Sequence, residues 1–363
     1  MVILVLFLLA SLAPWRFIGP SAEAGEFRKA LPGYAFAFPR DHYSHDEFRT
    51  EWWYYTGRLR AENGEEYGYQ LTFFRSGLTE VQANPSRWAV RNLYLAHFAV
   101  SDIPRKTFRY FERIGRGAVG QAGASENEFR VWIGNWGVTG DGIHQRLTAK
   151  EGDFTLNLIL VAKKPPVVHG RDGVSQKGPG RGQASHYYSL TRLAAEGTLN
   201  VRGKEHKVAG LTWMDHEFGS TQLHPNQVGW DWFGLQFDDD TELMLYSIRN
   251  ADGSYSAGTW VAADGEPVRL RKKDFSIQVL DRWQSPRTKG TYPIRWRIRV
   301  PSLRLEVTVT PAFPDQELDT EKSTQVIYWE GAVMGEGRRR GRQVTPSGYV
   351  EMTGYAGPFK KKP

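Results

Sequence analysis

Trp53-Tyr54-Tyr55-Thr56-Gly57, then Gly64, then Tyr67-Gly68-Tyr69-Gln70-Leu71-Thr72-Phe73-Phe74-Arg75 decide the reading of this chain, because the same figure returns downstream. Trp230-Asp231-Trp232-Phe233-Gly234 opens the second copy, Asp238-Asp239-Asp240 makes its turn, and Glu242-Leu243-Met244-Leu245-Tyr246-Ser247-Ile248-Arg249 closes it. Each copy reads as strand, turn, strand: aromatic residues crowd the runs, and Gly or Asp separates them. A second pair marks the closing ends. Glu196-Gly197 leads through Gly210 to Trp213-Met214, and Glu330-Gly331 leads through Gly348 to Glu351-Met352. In that alignment Glu351 falls on Trp213 and Thr353 on Asp215. The repeat predicts two similar β modules, over about 40–220 and 225–358.

Further strand candidates are Tyr94-Leu95-Ala96-His97-Phe98-Ala99-Val100 and Phe154-Thr155-Leu156-Asn157-Leu158-Ile159-Leu160. Arg295-Trp296-Arg297-Ile298-Arg299-Val300 and Leu303-Arg304-Leu305-Glu306-Val307-Thr308-Val309 alternate cleanly, as strands with one solvated face do. No long helical period appears. The length of 363 residues suits two domains, and 13 Trp, 16 Tyr, 19 Phe, 38 Gly and 19 Pro favour short strands with tight turns. An all-β fold of antiparallel barrels removes exposed strand edges and offers an interior for a ligand.

The chain has no Cys, which excludes disulfides, thiolate metal sites and Cys nucleophiles. Residues 2–10 form an apolar run too short for an ordinary membrane span, and Ala22-Glu23-Ala24 offers an A-x-A cleavage site. A signal peptide over 1–24 and a secreted or periplasmic mature protein are expected. No Lys or Arg precedes the apolar core, so an uncleaved N-terminal anchor stands as the alternative. The net charge is +7. The run Arg338-Arg339-Arg340-Gly341-Arg342 reads as a solvated hairpin turn, and Lys360-Lys361-Lys362 is the other basic run. Nucleic acid is not an expected partner of an exported protein. There is no Walker motif, no strand-linked G-x-G-x-x-G and no G-x-S-x-G nucleophile elbow, which removes support for nucleotide cofactors and serine-hydrolase chemistry.

Chemistry concentrates in Trp213-Met214-Asp215-His216-Glu217-Phe218-Gly219 and His186-Tyr187-Tyr188-Ser189. Alternate strand residues share a face, so His186 goes with Tyr188 and Trp213 with Asp215. If those faces meet inside a barrel, a carboxyl and an imidazole share an aromatic pocket. Burial among Trp and Tyr raises a carboxyl's pKa, so a protonated Asp215 persists and donates. His186 would set its ionisation or carry a proton. The competing reading is a structural hydrogen-bond cluster. His186, His216, Glu217 and His224 do not space as a converging zinc set, so no metal and no cofactor is expected. Arg49-Thr50-Glu51-Trp52-Trp53-Tyr54-Tyr55 would line a cavity with one face and fill core with the other. Trp53, Tyr55, His216, Glu217, Trp230 and Trp232 are the candidate ligand-binding side chains. Asp41-His42-Tyr43-Ser44-His45-Asp46 reads as a polar loop at a barrel mouth. The Pro- and Gly-rich stretch 163–185 reads as a lid or a loose connection.

The 49–57 stretch, the 186–189 and 213–219 segments, and Gly229-Trp230-Asp231-Trp232 together resemble the AttH-like and carotenoid 1,2-hydratase (hydroxyneurosporene synthase) family over roughly 35–357. That resemblance implies two consecutive lipocalin-like β-barrels, assigned here to 35–222 and 223–358. It also implies cofactor-free addition of water across an isoprenoid double bond. By spacing, the proton-donating Asp falls on Asp215, the assisting His on His186, and the cation-stabilising aromatics on Tyr188 and Trp213. The charged His216-Glu217 pair is similar to the secreted AttH-like branch, described as secreted hydrolases or as companions of an ABC-type permease. Two functions are therefore carried forward: a hydratase (hydro-lyase) acting on an isoprenoid- or lipid-like molecule, and a non-catalytic carrier of an apolar ligand working with an ABC transporter. A sugar-processing hydrolase is a third.

Overall fold

The computed structural model describes residues 27–78, 86, 88–221, 226–251 and 253–357. The apolar N-terminal run, its A-x-A site, His224 and the terminal lysine run lie outside these residues. The chain forms two large antiparallel sheets, each curled into a lipocalin-like barrel. Among the described residues helix is limited to three-residue 3-10 turns, and no helix is long and apolar enough to cross a membrane.

The first sheet uses strands between Thr50–Ala61 and Lys204–Gly219, and the second uses strands between Gln227–Phe237 and Pro346–Thr353. In both, the opening strand pairs with the next strand on one side and with the sheet's last strand on the other. The repeat in the sequence is this shared topology. The first barrel closes where strand Thr107–Arg116 meets Ala122–Ala124 and Phe129–Ile133. Gly115 lies there, and a Cβ on it would stand 2.8 Å from that of Ala122. Arg113 clasps the same seam, donating to the Ile133 carbonyl at 3.1 Å and pairing with Glu151. The basic run at 338–342 is the expected hairpin turn: Arg339 opposes Arg342, with Arg340 and Gly341 at φ 50° and 82°.

Four aromatics in a row at 52–55 have a direct physical cause. Trp53 and Tyr55 point into the first barrel's core, while Tyr54 joins a cluster with Trp213, Trp232, Met244 and Tyr349 between the barrels. A strand buried on both faces loses its polar alternation. By contrast His144–Glu151 has one solvated face and alternates in burial along most of its length. Polar contacts cross the same interface. Arg192 donates to Glu242 at 2.5 Å, Lys164 pairs with Glu242 at 2.8 Å, and Tyr54 donates to Glu330 at 2.6 Å.

Stretch 163–185 is neither loose nor open. Val167–Val168 and Ser175–Gln176 each pair with the long strand Ala184–Val201, and the stretch packs against the second barrel. Residues 41–46 are not a solvated loop either. Asp41, His42, Ser44 and His45 are buried, because the segment turns inward to close the end of the first barrel.

Candidate functional site

The hairpin formed by Ala184–Val201 and Lys204–Gly219 carries both sequence-predicted segments. Directly opposed residues of an antiparallel pair share a face. Here His186 opposes Phe218, Tyr188 opposes His216, and Ser189 opposes Asp215. His186 and Tyr188 therefore face the interior of the first barrel, whereas Trp213 and Asp215 face the second barrel. The expected single cleft holding all four does not form. The cause is a β-bulge. The two-residue turn Arg202-Gly203 sets Val201 opposite Lys204, and that register alone would bring Tyr188 to Asp215's face. Between Leu190/Met214 and Leu193/Thr212 the register shifts, with Thr191 and Arg192 together opposing Trp213. One extra residue reverses every side chain beyond it.

On the inner face, Glu51 is the hub. It accepts from Arg75 Nε at 2.9 Å, and its other oxygen bonds His45 Nδ1 and His216 Nε2, each at 2.8 Å. His45 Nε2 reaches Asp41 at 3.0 Å. Tyr188 Oη joins His42 Nδ1 at 2.6 Å and His216 Nδ1 at 3.1 Å. Trp53 stacks on His216, and Tyr55 donates to Gln145 at 2.7 Å. Burial alone would raise Glu51, but Arg75 beside it and hydrogen bonds from both imidazoles hold its carboxyl well below the ordinary value. Burial lowers His216, whereas Asp41 and Glu51 overcome burial at His45 and raise it. Ligand atoms of His45, Glu51 and His216 lie within 4.8 Å of one another, a spacing a metal ion would accept. Arg75 already neutralises Glu51, and both imidazoles are bonded to the same oxygen. The cluster is a complete ion-pair and hydrogen-bond network without an added cation. His186 stands apart, donating to the Gly173 carbonyl at 2.6 Å and stacked on Tyr34, with burial pushing its pKa down to about 4.

The outer face is different in kind. Asp215 accepts from Tyr187 Oη at 2.7 Å, from Trp213 Nε1 at 2.6 Å and from Ser189 Oγ. Burial pushes its pKa up to about 7, against the lowering effect of those three donors and with a further rise from Glu217. Trp232 Nε1 donates to Tyr187 Oη at 3.2 Å, and the Trp232 ring meets Trp213 and Tyr54 edge-on. Trp230 packs half-buried against the same cluster. Glu217 is held by Lys177 at 3.0 Å and by Ser185. Beside this cluster lies a cavity of about 330 Å³ whose walls come from both barrels and from stretch 163–185. His169, Gln176, Met244, Tyr246, Tyr255 and Thr259 line it. The sequence-predicted residues themselves do not line it.

Of the sequence-predicted residues, Asp215, Trp213, Trp230 and Trp232 come together between the barrels, whereas His186, Tyr188, Trp53, Tyr55 and His216 lie on the inner face of the first; Tyr187, Ser189, His169 and Tyr54 join the outer cluster and were not among the candidates. Tyr187 and Ser189 were one residue away from the chosen parity. His169 carried no signal beyond lying in a long Gly-rich stretch.

Two consecutive lipocalin-like β-barrels define the class. The AttH-like family profile matches residues 29–355, and the chain belongs to that family. The crystal structure of a protein assigned as AttH from Nitrosomonas europaea is similar, with 35% identity and a TM-score of 0.82, covering 91% of this chain and 99% of that one. Kievitone hydratase from Nectria haematococca shares the fold at 18% identity and TM-score 0.68, covering 92% and 97%. CghA, solved with Sch210972, does so at 12% identity and TM-score 0.52, covering 89% and 94%. Among curated proteins none matches the chain.

Proposed function

We propose that this protein adds water to a carbon–carbon double bond of an apolar, isoprenoid- or lipid-like ligand held between its two barrels, with Asp215 as the proton source. The observation that carries this reading is the state of Asp215: fully buried among Tyr187, Trp213 and Trp232, and raised to about 7 beside a cavity where Val174, Met244, Tyr246 and Tyr255 share the walls with Arg171, Asp172 and Arg269. A general acid works best when its pKa lies near the working pH. Proton transfer to one alkene carbon leaves a carbocation on the other. Aromatic faces stabilise that charge, water supplies the oxygen, and the surplus water proton restores the carboxyl. The kievitone hydratase fold supports the reading, since that protein's name states a hydration.

A Ser–His contact of 2.6 Å between Ser189 and His169 raises the hydrolase alternative. In a nucleophilic triad the acid orients the imidazole and the imidazole meets the serine. Here the acid binds the serine directly, and the far imidazole nitrogen meets Thr259 at 2.8 Å. That order fits proton transfer rather than acyl transfer. Export, read from residues 1–24, goes with either reading, and a transporter partner belongs to the carrier reading.

The test incubates the protein with isoprenoid alkenes in 18O-labelled water and follows label in the product by mass spectrometry. Asp215→Asn should lower turnover by about a hundredfold or more, while affinity for an apolar fluorescent probe changes little. Probe binding without label uptake in the wild type would leave the carrier reading and sink the hydratase.

A further inference from the structure

We propose that Ser189, His169 and Thr259 form a proton relay joining Asp215 to the inter-barrel cavity. The proposal rests on the acid role of Asp215 and adds the route by which its proton reaches the ligand. Asp215 does not line the cavity, whereas His169 and Thr259 do. The gap is bridged by an unbroken chain. Ser189 Oγ contacts Asp215 Oδ1, His169 Nε2 lies 2.6 Å from Ser189 Oγ, and His169 Nδ1 lies 2.8 Å from Thr259 Oγ1. All four side chains are buried, at 0% exposure for Ser189 and 1% for His169, so bulk water does not compete for these bonds.

Each link is built by the fold. The bulge at Thr191-Arg192 brings Ser189 to Asp215's face. Pairing of Val167–Val168 with Tyr188 and Ser189, continued by the His169 N–H to the Tyr187 carbonyl at 2.9 Å, sets the imidazole above Ser189. Gly170 follows at φ 85°, where a Cβ would collide with the Val174 carbonyl, so the chain turns away directly after His169. Thr259 comes from strand Gly253–Val261 of the second barrel. The relay is complete only when both barrels are in place.

The chemistry balances without a co-reactant. With Asp215 ionised, Ser189 donates to it and accepts from His169 Nε2–H, while Nδ1 accepts from Thr259. With Asp215 protonated the whole chain runs the other way, and Thr259 Oγ–H points its proton into the cavity. When an alkene carbon takes that proton, Thr259 recovers one from Nδ1–H. His169 Nε2 takes one from Ser189, and Ser189 takes one from Asp215. The net result is a carbocation in the cavity, a carboxylate at Asp215 and a neutral His169 with its proton moved between nitrogens. Proton loss from the attacking water reverses every step. A ring that never rests charged suits this role. Burial, with Lys177 nearby, pushes the His169 pKa down to about 3.

Other groups face the relay and must be separated from it. Asp215 is faced by Tyr187 on its own sheet, by Tyr54 on the adjoining strand and by Trp232 from the second barrel. Glu217 and Glu351 act on its surroundings through charge, and Glu351 is itself raised to about 7 by burial. Glu330, bonded to Tyr54, is raised well above its ordinary value by burial and by Glu351.

The relay predicts a signature that needs no substrate. In protein labelled with 15N-histidine, the His169 resonances are identified by their loss in His169→Gln. On raising pH through about 7, the pyrrole-like and pyridine-like 15N signals of His169 should exchange places, with no charged ring at any point. Asp215→Asn and Ser189→Ala should each lock one tautomer, whereas Glu351→Gln should keep the exchange. A wild-type His169 with one tautomer at both ends of the range overturns the relay, as does an exchange that survives Ser189→Ala. Loss of 18O uptake in Asp215→Asn is a separate readout, so the acid role and the relay can fail independently.

Discussion

Replacing Asp215 by Asn should invert the usual expectation that a mutation at a fully bonded buried site destabilises. The folded protein holds the Asp215 proton up to about pH 7, whereas the ordinary value is 3.8. Between those values the native state binds more protons than the unfolded chain, so this group's contribution to stability falls as pH rises from about 4 to about 7 and is level beyond. Three pKa units at about 1.4 kcal/mol each put the full loss near ~4 kcal/mol. Asn has no such titration. At low pH, where protonated Asp215 donates to Ser189, the variant's amide nitrogen takes the place of an acceptor that Tyr187 or Trp213 needs, which costs about 1–3 kcal/mol. At pH 8 the removed charge outweighs that cost, and the variant should be the more stable protein. Urea unfolding followed by tryptophan fluorescence, from pH 4.5 to 8.5, reads both proteins. The two stability profiles should cross between about pH 4.5 and 6. Profiles that stay parallel across the range would refute the idea that Asp215 is a raised, protonatable carboxyl, and with it the acid role.

Glu51→Gln should destabilise at all pH values near neutrality by about 3–5 kcal/mol, because Arg75 and His45 lose a buried counter-charge; thermal and urea unfolding check this, and a change under about 1 kcal/mol would sink the ion-network reading. Arg192→Ala should cost a similar amount by leaving Glu242 with Lys164 alone. It should also relax the bulge that Arg192 anchors, visible as altered amide shifts at Ser189 and Trp213.

Much of the architecture was legible because strand pairing leaves local marks. The copies at 53–75 and 230–249 are opening strand pairs of two like-wound sheets, and each set of turn residues stands where its chain reverses. The run Trp52-Trp53-Tyr54-Tyr55 already showed a strand buried on both sides. Asp215 was legible as a perturbed acid, since an acid between Trp213 and His216 has few routes to solvent.

The face on which Asp215 looks out was decided only by tertiary structure. Sequence sets the Arg202-Gly203 turn and the strict alternation that follows from it, and that alternation joins His186 and Tyr188 to Asp215. The bulge at Thr191-Arg192 overrides it. It is held by Arg192 donating to Glu242 and by the Thr191 carbonyl accepting from Gln236 at 2.7 Å, both partners lying in the second barrel. Nothing within residues 184–219 encodes those contacts. A side-chain period of two makes one inserted residue enough to move an acid from a barrel's interior to the seam between barrels. His169 and Thr259 reach it there from 46 residues before and 44 residues after in the chain.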